Sequence, residues 1–399
     1  MLETLFLLLP VAAASGWWLS RRELRATFER VGPAHPDFLR GLNYLLEEQP
    51  DKAIDLFLKL TEVDQDTVET HLALGNLFRR RGEVDRAIRI HQNLVARTHL
   101  STELRGYALF ELGQDYMCAG LLDRAEVLFQ ELVDCGLQRQ RALLALRDLY
   151  QCERDWRRCL AVAEQIKPVQ EPPLAVEIAH YHCELAEEAQ RNADPVTARR
   201  ELALALRVDP NCVRAAMLEG RAALADGQPQ RAVTVLLRVA ERGATYVAEI
   251  LPELIEALQH LERDDVLPLL EALAQRHPSP PLLRSLAEVV AAARGETAAL
   301  DVMTAYLTHH ADLSVLERML ALQIAQEGIA APLRQRLQVT LAVTRTILAR
   351  QPVYQCEHCG FQARTLHWQC PSCKRWGTVV PVQPEPTNAE SLSPVISSE

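Results

Sequence analysis

Aromatic residues make up only 5% of this 399-residue chain, and Ala, Leu, Arg and Glu dominate instead, which favours helices. Net positive charge is also missing. Lys and Arg number 43 against 53 Asp and Glu, a net charge of −10, which argues against sequence-independent nucleic-acid binding by the whole chain. No G-x-x-x-x-G-K-[ST] phosphate loop and no G-x-S-x-G nucleophile elbow occur, so the chain reads as a non-enzyme. Polar low-complexity composition is absent too, since 48% of residues are hydrophobic, and wholesale disorder is excluded. The length exceeds what one small core accommodates and calls for several domains or a repeat array.

What is present is most specific near the end. Cys356-Glu357-His358-Cys359-Gly360-Phe361 is followed by Cys370-Pro371-Ser372-Cys373. Two C-x-x-C pairs can bend round one ion and complete a tetrahedron of thiolates. The expected ligands are therefore Cys356, Cys359, Cys370 and Cys373, and the expected cofactor is one iron or zinc ion. Gly360 suits a tight turn, and Pro371 stiffens the second knuckle. About thirty residues cannot bury enough apolar surface to fold alone, so metal binding would supply the deficit. Tyr354, Phe361, Trp368 and Trp376 are expected to form the module's small core. The remaining cysteines (Cys118, Cys135, Cys152, Cys159, Cys183, Cys212) lie in helical sequence and read as reduced thiols packed as small hydrophobes.

At the other end, Leu2–Leu19 reads LETLFLLLPVAAASGWWL. As a helix it would span ~27 Å, close to a bilayer core. Trp17 and Trp18 sit where an interfacial belt would lie, and Arg21, Arg22, Arg25 and Arg30 follow. The positive-inside rule then places the body in the cytoplasm and the amino terminus across the membrane. A cleaved signal peptide is the rival reading because of Ala12-Ala13-Ala14, but it would carry its positive charge before the apolar stretch.

Between the two ends a 34-residue period recurs. Gly41, Tyr44, Ala53, Phe57 and Leu60 return as Gly75, Phe78, Ala87, His91 and Leu94, then as Gly113, Tyr116, Ala125, Phe129 and Leu132. Arg147, Tyr150, Cys159, Ala163 and Ile166 form the next copy, followed by a linker through Pro168, Pro172 and Pro173. Later copies include Ala186, Ala198, Leu202 and Ala205, then Gly220, Ala232, Leu236 and Val239, and Leu316–Leu348 supplies a last helical pair. Small residues mark close helix approach, and Gly82, Gly120 and Gly227 fall in the intra-repeat turns. This pattern resembles the tetratricopeptide repeat, which implies an α-solenoid whose concave surface holds protein segments.

Other candidate clusters read as structural. His180-Tyr181-His182-Cys183-Glu184 places its histidines on different helix faces, so packing and surface roles are expected rather than metal binding. His309-His310 reads the same way, and Arg79-Arg80-Arg81 reads as a solvated run offset by Glu83 and Asp85.

The expected organisation is mainly α. It comprises a transmembrane anchor at 1–20, a basic juxtamembrane linker at 21–34, a repeat array at 35–350, a metal-binding module at 351–382 and a disordered tail at 383–399. The cysteine knuckles are similar to those of rubredoxin, which implies iron, and they also fit a zinc ribbon. The anchor, the Asn76–Gln92 segment NLFRRRGEVDRAIRIHQ and the rubredoxin-like end together resemble the lipopolysaccharide assembly protein B family. That resemblance implies an inner-membrane adaptor facing the cytoplasm. Its implied partners are a membrane-anchored ATP-dependent metalloprotease, the UDP-acyl-N-acetylglucosamine deacetylase of lipid A synthesis and other lipopolysaccharide-synthesis proteins, with a homo-oligomer also compatible. Two other readings differ in class. One is a rubredoxin-like electron-transfer protein with a repeat docking domain; the other is a zinc-ribbon nucleic-acid binder, which the acidic balance opposes.

Overall fold

A computed structural model describes residues 65–166, 174–242, 245–261, 266–277, 279–326 and 328–382, together with Tyr44 and Lys52. The expected anchor and juxtamembrane linker, the first repeat copy apart from Tyr44, the 167–173 linker and the tail beyond Val382 lie outside the described residues. Among those described, no helix is long and apolar enough to cross a membrane.

The chain divides into two compact units, Met1–Arg154 and Asp155–Glu399. The first contains α1 (Gln65–Arg80), α2 (Val84–Val95), α3 (Thr102–Cys118), α4 (Leu122–Asp134) and α5 (Arg139–Glu153). Each packs on the next in sequence, as helical hairpins stacked side by side require. The small-residue positions explain the close approach. A Cβ on Gly113 would lie 2.5 Å from Phe129 Cε1, so only glycine lets α3 and α4 meet there. Phe78, Ile90, Leu94, Phe129 and Leu132 fill the resulting spaces and are fully buried. Arg79 departs from the solvated-run expectation. Its guanidinium donates to Asp115 Oδ1 at 2.8 Å and to Glu111 Oε2 at 2.6 Å, while His91 Nδ1 lies 2.5 Å from the other Asp115 oxygen. Asp115 is wholly buried and needs both partners to offset the loss of water.

The second unit contains α6 (Trp156–Ala163), α7 (Ala175–Arg191), α8 (Pro195–Val208), α9 (Val213–Ala225), α10 (Pro229–Arg242), α11 (Val247–Gln259), α12 (Val266–Arg276), α13 (Pro280–Arg294), α14 (Glu296–Leu307), α15 (Leu313–Ala325) and α16 (Ala331–Leu348). A three-stranded antiparallel sheet follows, with β1 (Tyr354–Cys356) between β2 (Gln362–Ala363) and β3 (Val379–Pro381). The repeat logic continues here: a Cβ on Gly220 would lie 2.8 Å from Leu236 Cδ2. Leu202, Leu236, Leu254, Leu270 and Met303 are buried between successive helices. The architecture is mainly helical, built of tetratricopeptide repeats, with a small strand module at its carboxyl end.

Five of the described intra-repeat turns use one backbone solution. Gly82, Gly120 and Gly227 take φ of +81°, +74° and +68°, and the equivalent positions Arg154 and Ala193 take +59° and +56°. The turn geometry therefore persists where the glycine signal has been lost, at a cost of about 1–2 kcal/mol per non-glycine residue.

The cysteines outside the metal module divide evenly. Cys159, Cys183 and Cys212 are buried as small hydrophobes, whereas Cys118, Cys135 and Cys152 are exposed, contrary to the packing expectation for them. His310 stacks on Tyr306 with ring centroids 4.5 Å apart.

Candidate metal centre and its seat

Two knuckles of nearly identical construction carry the four thiols. In the first, Gly360 N–H donates to Cys356 O at 2.9 Å, and Cys356 N–H donates to Phe361 O at 2.8 Å. In the second, Lys374 N–H donates to Cys370 O at 2.9 Å, and Cys370 N–H donates to Arg375 O at 2.9 Å. Both turns need a left-handed residue directly after the second cysteine, and Gly360 and Lys374 take φ of +74° and +61°. The glycine reaches this region freely; the lysine does not.

The sheet fixes the first knuckle. Tyr354 pairs with Ala363 and Pro381, and Cys356 pairs with Val379. Gln369 bridges Trp376 at the second knuckle. The four sulfurs converge, all within 4.8 Å of one another. Cys356 Sγ lies 3.8 Å from Cys373 Sγ, and Cys359 Sγ lies 3.6 Å from Cys370 Sγ. Metal–sulfur bonds of about 2.3 Å in a regular tetrahedron place sulfurs roughly 3.8 Å apart, so this donor set fits one tetrathiolate ion. Such a site accepts iron or zinc.

The surroundings bias the thiols differently. Against the cost of burial, the Thr378 hydroxyl and the backbone N–H groups of Cys359 and His358 hold the Cys356 thiol down at about 6. Burial pushes the Cys370 thiol up to about 11. His358 and His367 take no part in the convergence.

The module's own core is smaller than expected. Cys356, Cys370 and Val379 are packed with Tyr354, Phe361 and Leu366. Trp368 and Trp376 turn away from it, correcting their assignment to the miniature core. The Trp376 ring stacks on His180 at 5.0 Å and meets Trp156 and Tyr181 edge-on at 5.8 and 6.0 Å. Trp368 lies 5.9 Å from His180 and 6.0 Å from Tyr246. Gly377 follows at φ +64°, and a Cβ there would meet Val176 and His180 at 3.4 and 3.5 Å.

Polar contacts frame this aromatic seat. Tyr354 Oη donates to Glu249 Oε1 at 2.7 Å, Tyr246 Oη donates to Val379 O at 3.3 Å, and Arg364 Nη1 donates to Ala349 O at 2.8 Å. The strand module is thus seated on α6, α7 and the start of α11 by large aromatic area and directed hydrogen bonds. His180 is driven down to about 3 by burial and by the charge of Arg214, so it packs as a neutral ring. Arg214 is itself held by Glu184 and Glu187 at 2.8 and 2.9 Å.

The helical pattern implies packing for His180 and Tyr181 but does not identify their partners. One available signal was the scarcity of tryptophan: of five in the chain, the three outside the amino-terminal segment all meet here. His182 points elsewhere, its Nδ1 2.8 Å from Glu201 Oε2, in a cleft of about 480 Å³ that Arg157, Glu188 and Arg200 also line.

Known proteins match both parts. A family model described as a rubredoxin metal binding domain covers residues 354–381. Tetratricopeptide repeat models cover residues 70–103 and 183–247. "Lipopolysaccharide assembly protein B" of Escherichia coli (strain K12) is 38% identical over 387 residues, spanning 96% of this chain and 99% of that protein. The protein of the same name from Haemophilus influenzae (strain ATCC 51907 / DSM 11121 / KW20 / Rd) is 34% identical over 400 residues, spanning 97% of this chain and 100% of its own length.

Proposed function

Because this chain belongs to the lipopolysaccharide assembly protein B family, we propose that it is an adaptor for lipopolysaccharide synthesis, held at the cytoplasmic face of the inner membrane. The observation that carries the reading is the near-complete alignment with those relatives, which extends through the repeats and the metal module alike. Repeat hairpins offer surfaces for protein segments. The strand module, seated on three helices through Trp376 and Trp368, makes a composite surface that neither part has alone.

In this reading Cys356, Cys359, Cys370 and Cys373 hold one iron or zinc ion. When bound, the ion supplies a cross-link between the knuckles. The protein's own residues do the positioning: β1 and β3 hold Cys356, and the Trp376–His180 stack fixes the module against α7.

The adaptor brings the UDP-acyl-N-acetylglucosamine deacetylase to a membrane-anchored ATP-dependent metalloprotease and so limits lipid A synthesis. Leu2–Leu19 supplies the tether. Confinement raises the encounter rate through effective concentration, without any catalytic group on the adaptor. Deacetylase half-life in cells lacking the protein tests this directly. Lengthening is expected, and an unchanged half-life overturns the reading.

A further inference from the structure

Among the described residues, α16 presents an apolar stripe to solvent. Val339, Val343 and Ile347 are 61%, 54% and 43% exposed and recur every fourth residue, so they share one face. Arg336 precedes the stripe by three residues and Arg350 follows it by three, which puts a guanidinium at each end of the same face. Arg350 sits in the closing turn, its N–H donating to Ile347 O at 3.0 Å.

The four arginines of this region divide by role. Arg345 lies 2.7 Å from Glu317 Oε1, and Arg334 donates to Gln326 O at 3.3 Å; both tie the helix to neighbouring chain. Arg336 and Arg350 are exposed and make no ion pair among the described residues. From Gly328 to Cys356 there are four arginines and no Asp, Glu or Lys, in a chain whose net charge is −10.

We propose that this face of α16 lies on the surface of a bilayer containing anionic phospholipid, with Val339, Val343 and Ile347 in the headgroup–acyl boundary and Arg336 and Arg350 on lipid phosphates. The stripe, with its flanking arginines, extends about 21 Å, a length suited to lying in an interface rather than crossing the membrane. Long arginine side chains keep their charge in the headgroups while their stems cover apolar surface. A second copy fits poorly, because antiparallel pairing sets Arg336 against Arg350 and parallel pairing sets each against itself. An aromatic-anchored protein interface is disfavoured because the stripe is wholly aliphatic.

The test uses the full chain reconstituted in phosphatidylcholine vesicles with and without phosphatidylglycerol, each carrying a photoactivatable lipid of the same headgroup. Adducts are mapped by mass spectrometry. The proposal expects adducts on 331–350 to rise on the order of tenfold with the anionic lipid. Arg336→Gln with Arg350→Gln should remove that preference, and Val343→Glu should lower labelling in both vesicles. All three positions are exposed, so folding is not at stake, and retained metal content verifies it. Equal labelling by both lipids overturns the proposal. So do copy-to-copy cross-links from a photoreactive residue at 343, and so does labelling that appears only when the chain is cut after Val382, which would show residues 383–399 covering the face. Deacetylase half-life is a separate readout, so failure here is distinguishable from failure of the adaptor reading.

Discussion

At Gly113 two repeat helices touch because a side chain is missing; at Cys356 two knuckles meet because specific side chains are present. The repeats distribute their stability over many apolar contacts between consecutive helices, each worth a modest amount. The strand module concentrates its stability in four thiols and one aromatic seat, because its few residues bury little apolar surface of their own. A distributed structure tolerates lost signals, as the turns at Arg154 and Ala193 show. A concentrated one does not, and the difference can be measured.

The largest effect is expected at the thiols. Cys356→Ser or Cys373→Ser should abolish metal binding in a module whose folding draws on about 10–16 kcal/mol of it. Metal content per chain and tryptophan fluorescence check this; a full complement of metal in either variant contradicts it. The repeats should keep their helical circular dichroism.

Next comes the seat. Trp376→Ala should cost roughly 3–5 kcal/mol of docking while leaving the metal bound. Hydrogen exchange would show β1–β3 still protected but α6 and α7 exposed where Trp376 now covers Trp156 and His180.

Acid should loosen the same seat. His180 has a folded pKa of about 3 against an ordinary value of 6.5. Below 6.5 the unfolded state takes up the proton and the folded state does not. The stabilisation is therefore complete above that pH and declines as pH falls towards 3, by about 1.4 kcal/mol per pH unit. Comparing the pH dependence of thermal stability with that of His180→Gln isolates the effect, since acid release of the metal is common to both proteins. Identical slopes would contradict the assignment.

Gly113→Ala should cost about 1–3 kcal/mol by forcing Phe129 aside, measured by denaturant unfolding. The smallest effect is at the knuckles. Lys374→Gly should raise the module's stability by up to about 1 kcal/mol by relieving a left-handed lysine, with metal affinity as the readout.

Much of this was readable in advance, for reasons that differ by region. The repeat period was legible because each copy must satisfy the same close approach, so Gly75, Gly113 and Gly220 mark one structural position. The convergence of the four cysteines was legible because a knuckle is a local turn, set by residues a few positions apart. The partners of Arg79 are not legible because Glu111 and Asp115 lie about a full repeat away, and only stacking brings them to its guanidinium.

The sequence alone determined the helical period, the turn positions and the pairing of cysteines into two knuckles, since each depends on spacing within one hairpin or one turn. Tertiary structure decided where the module sits. Trp156, His180, Tyr246 and Trp376 belong to segments far apart in the chain, and no local pattern states that they meet. Apolar rings carry no directional label in sequence; their partners are chosen by which surfaces the stacked repeats leave to be buried.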